Sequence, residues 1–225
     1  DVDRAAIVGS DGRPINKNAL IALISTIILE EHPGTTIVTD SVTSNGLAKF
    51  IKARGGIHHR FKRGYKNVIN EAIRLNEEGK ESHLAIETSG HAAIKENYFL
   101  DDGAYLISKI LVKAAQLYRE SQDIGKLIGD LDEALEDKEV RLKIEDKDFR
   151  AYANNIINSL SEKVKTIDGW TQVSENYEGI RVDCRDEKGW FLMRSSLHEP
   201  LLVINFESDI QGGCDMIYER LSALI

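Results

Sequence analysis

The 225 residues predict an α/β domain followed by a smaller α+β domain. The first is a mainly parallel mixed sheet with flanking helices, the second an antiparallel sheet with helices on one face. Three observations carry this. Short β-prone runs alternate with amphipathic helices through the first 120 or so residues, the pattern of βαβ units. Three strand-like runs, Ile180 to Cys184, Gly189 to Met193 and Leu201 to Phe206, then follow one another with little between them. Between the two patterns lies Ser121 to Lys138, acidic, poor in apolar residues and holding two glycines.

The chain opens on Asp1-Val2-Asp3-Arg4, then a β-like run from Ala5 to Gly9 and a turn from Ser10 to Arg13. Natural chains start with Met, so this opening reads as that of a processed or excised piece. Carboxylates at alternate positions before a strand can hold a hard divalent cation through oxygen; acidic residues solvated at a terminus look the same.

Asn16 to Glu31 predicts a helix, with Ala19, Leu20, Leu23, Ile24, Ile27 and Ile28 on one face and His32-Pro33-Gly34 as its stop. Thr35 to Thr39 reads as a strand leading to Asp40 and the polar stretch Ser41 to Asn45, and Gly46 to Arg54 as a helix closed by Gly55-Gly56. Ile57 to Phe61 gives another strand, Lys62 to Asn67 a basic loop, and Val68 to Asn76 a third helix. The run Leu84-Ala85-Ile86 delivers Glu87-Thr88-Ser89-Gly90-His91. Asn97 to Leu100 predicts one more short strand, and Asp101-Asp102-Gly103 starts a long helix to about Tyr118 with Ala104, Ile107, Leu111, Ala114 and Leu117 inward. An aspartate there caps free N–H groups and suits the helix dipole. Beyond the boundary, Val140 to Ile144 alternates like a half-exposed strand, Lys147 to Lys165 is an amphipathic helix, and Gly213 to Ile225 ends the chain as a helix.

Composition excludes several functions. The net charge of −8, from 37 acidic and 29 basic residues, argues against a nucleic-acid surface. The longest apolar run, Ala19 to Leu29, is broken by Ser25 and Thr26 and is too short to span a bilayer. Cys184 and Cys214 have neither metal-ligand nor disulfide-framework spacing and read as reduced thiols, which points to the cytoplasm. Walker loops, dinucleotide fingerprints, zinc spacings and nucleophile elbows are absent from the sequence.

Chemistry concentrates at three strand-to-helix junctions, Asp40 to Asn45, Lys62 to Asn67 and Glu87 to His91. Parallel neighbouring strands would bring all three tips to one sheet edge, where open α/β sheets bind ligands. In the last of these, a carboxylate that accepts from neighbouring hydroxyls, two side-chain hydroxyls and a glycine suit a polyhydroxylated ligand. An ordinary strand-to-helix loop has the same composition. His58, His59, Arg60, Lys62, Arg63 and Lys66 gather positive charge beside a glycine and a helix start, as a phosphate monoester requires, although a solvated basic loop does too. In the second domain, Arg194-Ser195-Ser196-Leu197-His198-Glu199-Pro200 offers a forked guanidinium, hydroxyls and loop amides for phosphate; alone it equally describes a hairpin connection.

Taken in order, these motifs resemble the C-terminal part of the α-D-phosphohexomutase family, the phosphoglucomutases and phosphomannomutases. Asp1-Val2-Asp3-Arg4 looks like the tail of the family's metal loop, Asp-x-Asp-x-Asp-Arg. Glu87 to His91 looks like its sugar-binding loop, commonly Gly-Glu-x-Ser-Gly, and Asp101-Asp102-Gly103 like the Asp-Gly that follows. Arg194 to Pro200 is similar to its phosphate-binding loop, commonly Arg-x-Ser-Gly-Thr-Glu-Pro. The resemblance covers nearly the whole chain but about half of a family member. It implies that residues 1–15 end domain 2, that 16–128 form the sugar-binding domain 3 and that 129–225 form the phosphate-binding domain 4. The implied reaction moves phosphate between O1 and O6 of glucose or mannose through an upstream phosphoserine and a hexose 1,6-bisphosphate. By the same resemblance Asp1 and Asp3 bind Mg²⁺ in the full-length enzyme, weakly or not at all in this piece, which alone is expected to be inactive; Glu87 and Ser89 hold sugar hydroxyls, and Arg194, Ser196 and His198 grip the distal phosphate. His91, Lys66 and Arg63 are candidates for proton transfer and Lys62 for phosphate contact. Partners would be the hexose phosphates and the family's N-terminal domains, with neither nucleic acid nor membrane. A phosphoglucosamine mutase or a non-catalytic sugar-phosphate-binding module stays open as an alternative. Two departures stand out: Leu197-His198 where Gly-Thr is usual, and Ser41 to Ser44 where a basic residue often follows Asp40. The Arg63 to Lys66 loop is expected to supply that missing base.

Overall fold

A computed structural model describes residues 3–196 and 199–225. The chain divides into two compact units, 1–133 and 134–225. The expected boundary lay at 128/129. The division falls later because a 3-10 turn, Ile124–Ile128, and Leu131 pack their apolar side chains on the first unit's core.

The first unit opens with a small antiparallel hairpin, β1 (Ile7–Val8) and β2 (Pro14–Ile15). Then come α1 (Lys17–Glu31), β3 (Thr36–Thr39), α2 (Asn45–Ala53), β4 (Ile57–Arg60), α3 (Tyr65–Glu77), β5 (Ser82–Ile86), β6 (Ala92–Ile94) and α4 (Gly103–Arg119). The sheet runs β4-β3-β5-β6. Its first three strands are parallel and β6 is antiparallel to β5, so the sheet is mixed as expected. Period two sorts the strands. Ile37, Leu84, Ile86, Ala92 and Ile94 join α1, α2 and α4 in one core, while Val38, Ala85 and Ala93 meet Val68, Ala72 and Leu75 of α3 on the other face.

Three elements differ from the sequence reading. Helix α1 is enclosed, with Leu20 through Leu29 all buried, because it packs against α2, α4 and the 3-10 turn as well as the sheet. Thr26 satisfies its hydroxyl on the Ala22 carbonyl at 3.0 Å. The strand expected at Asn97 to Leu100 lies instead at Ala92–Ile94. Tyr98 and Phe99 both take φ of +55°, a left-handed conformation no strand admits. Helix α4 buries Leu106, Ile110 and Leu117 and leaves Ile107 and Leu111 exposed, a rotation from the expected face. Lys109 also meets Glu31 and Glu96, and Lys113 meets Glu30, so ion pairs tie α4 to α1 beside that buried face.

The second unit comprises β7 (Glu136–Lys143), α5 (Phe149–Val164), β8 (Trp170–Gln172), β9 (Ile180–Cys184), β10 (Gly189–Ser195), β11 (Leu201–Ser208) and α6 (Gly213–Ser222). The antiparallel sheet runs β7-β11-β10-β9-β8. Val182, Phe191, Met193, Ile204 and Phe206 point to one face and share a core with Leu160 of α5 and Ile217 of α6, so both helices cover that face. Edge strand β7 starts four residues before its expected Val140 because its charged half pairs with β11 as fully as its apolar half. The two thiols are buried, which pushes Cys214 up to about 11 and Cys184 higher still.

Candidate functional site

Because β3, β4 and β5 are parallel neighbours, their C-terminal ends share one edge, and the three polar tips meet there. Asp40 leaves β3 fully buried, and its Oδ2 accepts from the Thr88 amide at 3.2 Å and the Thr88 hydroxyl at 2.6 Å. Glu87, which leaves β5 and is 5% exposed, accepts from the Gly64 amide at 2.6 Å through Oε1 and from the Ser89 hydroxyl at 3.1 Å through Oε2. Gly64 sits at φ +111°, open to glycine alone, and turns its amide toward that carboxylate as it caps α3. One carboxylate therefore fastens the second junction to the third.

The turn Glu87 to Gly90 closes through the Gly90 amide on the Glu87 carbonyl, 3.0 Å. Gly90 has φ +93°, and a Cβ there would come within 2.9 Å of the Ala5 carbonyl, so the opening segment can lie against the loop. Arg4 bridges to His91, and the Ala5 amide donates to the Gly90 carbonyl. His91 Nδ1 lies 2.7 Å from Asp101 Oδ2 and 3.9 Å from Asp3 Oδ2, and its ring stacks on Tyr65 at 4.9 Å. Tyr65, Glu87 and His91 line one depression over Val68, Ile69, Ala85 and Ile86.

Electrostatics single out Asp40. Burial, together with the neighbouring Glu87 charge, pushes its carboxyl up to about 6, against the pull of Thr88 and Arg63. Asp3, His91 and Asp101 bring three possible ligand atoms within 4.8 Å of one another. Two carboxylate oxygens of that group, Asp3 Oδ1 and Asp101 Oδ1, are buried and take no hydrogen bond among the described residues. Such oxygens fit a hard divalent cation.

The structure thus gathers Glu87, Ser89, His91 and Asp3, with Arg63 near enough to act on Asp40. Lys62 and Lys66 are exposed and project over the rings of Phe61 and Tyr65. The rest of the basic stretch is committed elsewhere. His58 Nε2 meets the Thr39 hydroxyl at 2.8 Å, His59 Nε2 meets buried Glu71 at 2.8 Å, and Arg60 donates to the Thr43 and Ser44 carbonyls. Those three residues hold the sheet edge, so the phosphate-like concentration of charge is about half what the spacing suggests. Tyr65 and Lys66 belong to the first turn of α3 rather than to a loop. Asp1 and His198 lie outside the described residues.

In the second unit Arg194 lies one residue before the end of β10, 7% exposed, opposite Val203 of β11. The Ser196 amide donates to the Leu201 carbonyl at 2.8 Å, and the Ser196 hydroxyl accepts from the Glu199 amide at 3.3 Å. Gly179, at φ +57°, leaves no room for a Cβ, which would stand 2.0 Å from the Met193 carbonyl and 3.0 Å from Arg194. One strand away, buried Arg181 stacks on Trp190 at 3.6 Å, and the indole donates to Glu207.

Sequence reasoning passed over Asp40's partner Thr88, the Asp101 contact to His91 and the Tyr65 platform. Asp101 carried one available signal: of two adjacent aspartates, Asp102 caps α4 by accepting from the Tyr105 amide at 2.9 Å, which leaves the other for a different task.

Comparison with known proteins places these features in a family. Residues 16–133 match the family described as phosphoglucomutase/phosphomannomutase, alpha/beta/alpha domain III. The chain is 28% identical to a phosphoglucomutase of Neisseria gonorrhoeae, over 100% of this chain and 46% of that protein. It is 29% identical to a phosphomannomutase/phosphoglucomutase of Pseudomonas aeruginosa, over 96% of this chain and 43% of that protein. A crystal structure of a phosphoglucomutase/phosphomannomutase family protein from Burkholderia thailandensis superposes with a TM-score of 0.79 at 27% identity, over 100% of this chain and 44% of that one. The chain spans about half the length of the curated relatives it matches. By its matched domain and its fold, the chain belongs to the phosphoglucomutase/phosphomannomutase family.

Proposed function

We propose that this chain is the sugar- and phosphate-binding part of a cytoplasmic phosphohexomutase that interconverts hexose 1-phosphates and 6-phosphates. In this reading residues 1–15 close the preceding domain, and the phosphoserine that gives and takes back the phosphoryl group lies in a segment outside this sequence. The observation that carries the reading is Glu87: a buried carboxylate at the meeting edge of three parallel strands, tied to Gly64 and Ser89, with His91 beside it.

A substrate that binds in two orientations needs contacts to what is common to both, its equatorial hydroxyls and its far phosphate. Glu87 accepts from two neighbouring sugar hydroxyls in place of Ser89, which then turns to donate or accept in its own right. His91 moves a proton at the reacting hydroxyl, with Asp101 fixing the ring on Nδ1 so that Nε2 faces the ligand. Lys62, Arg63 and Lys66 supply positive charge toward phosphate. Arg194, Ser196 and His198 hold the phosphate that is not in transfer, with the guanidinium fork matched to its oxygens. Asp3 and Asp1 would hold Mg²⁺, which when bound stabilises charge on the transferring phosphoryl group. Positioning and charge are the main requirements of such a transfer.

Calorimetric titration of the chain with glucose 1-phosphate tests the reading. Saturable binding is expected, without turnover, and Glu87→Gln should weaken it roughly 10- to 100-fold, the worth of a charged hydrogen bond. Equal affinity of the wild type and Glu87→Gln would exclude this site as the sugar site.

A further inference from the structure

The buried carboxyl of Asp40 has a task that hydroxyl binding alone does not require. We propose that Asp40 is a positioning residue for the sugar loop, gripping Thr88 as a carboxylate and loosening that grip when it takes up a proton.

Both hydrogen-bond donors of Thr88, its amide and its hydroxyl, end on a single atom, Asp40 Oδ2. Thr88 stands between Glu87 and Ser89, whose side chains bond to each other, so the hold on Thr88 fixes the direction of both. The other side of the loop is pinned by the Gly64 amide. Asp40 Oδ1 is buried and accepts no hydrogen bond among the described residues, which leaves that oxygen to receive a proton without disturbing Oδ2. Two charged groups face Asp40: Glu87, from the end of β5, opposes its ionisation, and Arg63, following β4, favours it. The balance, weighted by burial, lies at about 6, so the group changes charge just below neutral pH. Charge-assisted hydrogen bonds are roughly twice as strong as neutral ones, so ionised Asp40 holds Thr88 more firmly than the neutral acid. A neutral asparagine could fill the same space at no cost of buried charge. An ionisable group kept where burial opposes its charge marks a place where the charge is used.

The test follows the Thr88 and Ser89 amide resonances of the ¹⁵N-labelled chain from pH 5 to 8. Both should shift with a midpoint near 6 in the wild type and stay flat in Asp40→Asn, the close mimic of the protonated acid. Thr88→Val keeps the amide contact but removes the hydroxyl, and should raise the midpoint seen at residue 88; this variant carries the test if Asp40→Asn fails to fold. A wild-type loop without a step in this range, or a midpoint unmoved by Thr88→Val, overturns the proposal. A second arm rests on the sugar-phosphate reading. The wild type should bind glucose 1-phosphate about tenfold more tightly than Asp40→Asn at pH 8 and about equally at pH 5, a ratio that cancels the ligand's own titration. A ratio constant with pH would overturn the role in binding. Amide steps without any sugar-phosphate binding would leave the grip of Asp40 standing and overturn the functional reading instead.

Discussion

The two units assemble their proposed ligand-binding groups in opposite ways. In the first, three junctions separated by dozens of residues meet because parallel strands end together, and hydrogen bonds between junctions lock them: Asp40 to Thr88, Glu87 to Gly64. In the second, the end of β10 and the residues just after it carry the motif, and the support comes from Gly179, just before β9, and from the bonds at Ser196. A site of the first kind is a property of topology and is buried, polar and sensitive to charge. A site of the second kind is a property of local sequence and is sensitive mainly to sterics. The difference predicts which substitutions each unit tolerates.

The largest effect should come from crowding the second unit. Gly179→Ala adds a Cβ where only 2.0 Å separates it from the Met193 carbonyl, at a left-handed φ. A loss of about 3 kcal/mol or more is expected in that unit's own unfolding transition, with the first unit's transition unmoved. Urea unfolding measures it, with Trp170 and Trp190 reporting the second unit and the far-ultraviolet circular dichroism reporting both units. A parallel loss in both units would show that they do not melt separately.

Charge should matter more in the first unit, and the sign is set by Asp40. Its folded value, about 6, lies above the ordinary 3.8, so between those values the folded state binds more protons than the unfolded state. Stability contributed here is therefore present at low pH, lost as pH rises through this window, and lost in full above it, by about 3 kcal/mol at about 1.4 kcal/mol per pH unit. Asp40→Asn escapes that loss, so its advantage over the wild type should grow from pH 4 to pH 7 and then level off. Paired denaturation curves across that range check it; a constant difference would mean that Asp40 carries no buried charge.

What was legible in the sequence follows the same division. Most of the strand and helix order, the parallel start and the antiparallel end came from periodicity, though β8 gave no signal, and Glu87, Ser89 and Arg194 were proposed from short contiguous motifs. The register of α4 was not legible, because apolar residues occupy two of its faces and only tertiary packing buries Leu106, Ile110 and Leu117 rather than Ile107 and Leu111. Nor was β6, since Ala92-Ala93-Ile94 is a weak strand former while Tyr98-Phe99 looks like a strong one. The bond between Asp40 and Thr88 spans 48 positions, and no local pattern announces it. The basic run from His58 to Lys66 was legible as charge but not as function, because half of it is used to satisfy carbonyls, a hydroxyl and Glu71 at the sheet edge.

The proposed reading assigns sugar hydroxyls to the Glu87 to His91 loop of the first unit and phosphate to Arg194 of the second. Amide shift mapping of the labelled chain against glucose 1-phosphate, with inorganic phosphate as the control, tests it most directly. The account predicts saturable shifts at Thr88, Ser89 and Gly90 with the sugar phosphate only, and shifts around Arg194 and Ser196 with both ligands. A loop at Glu87 that responds to neither ligand, or to both alike, would contradict it.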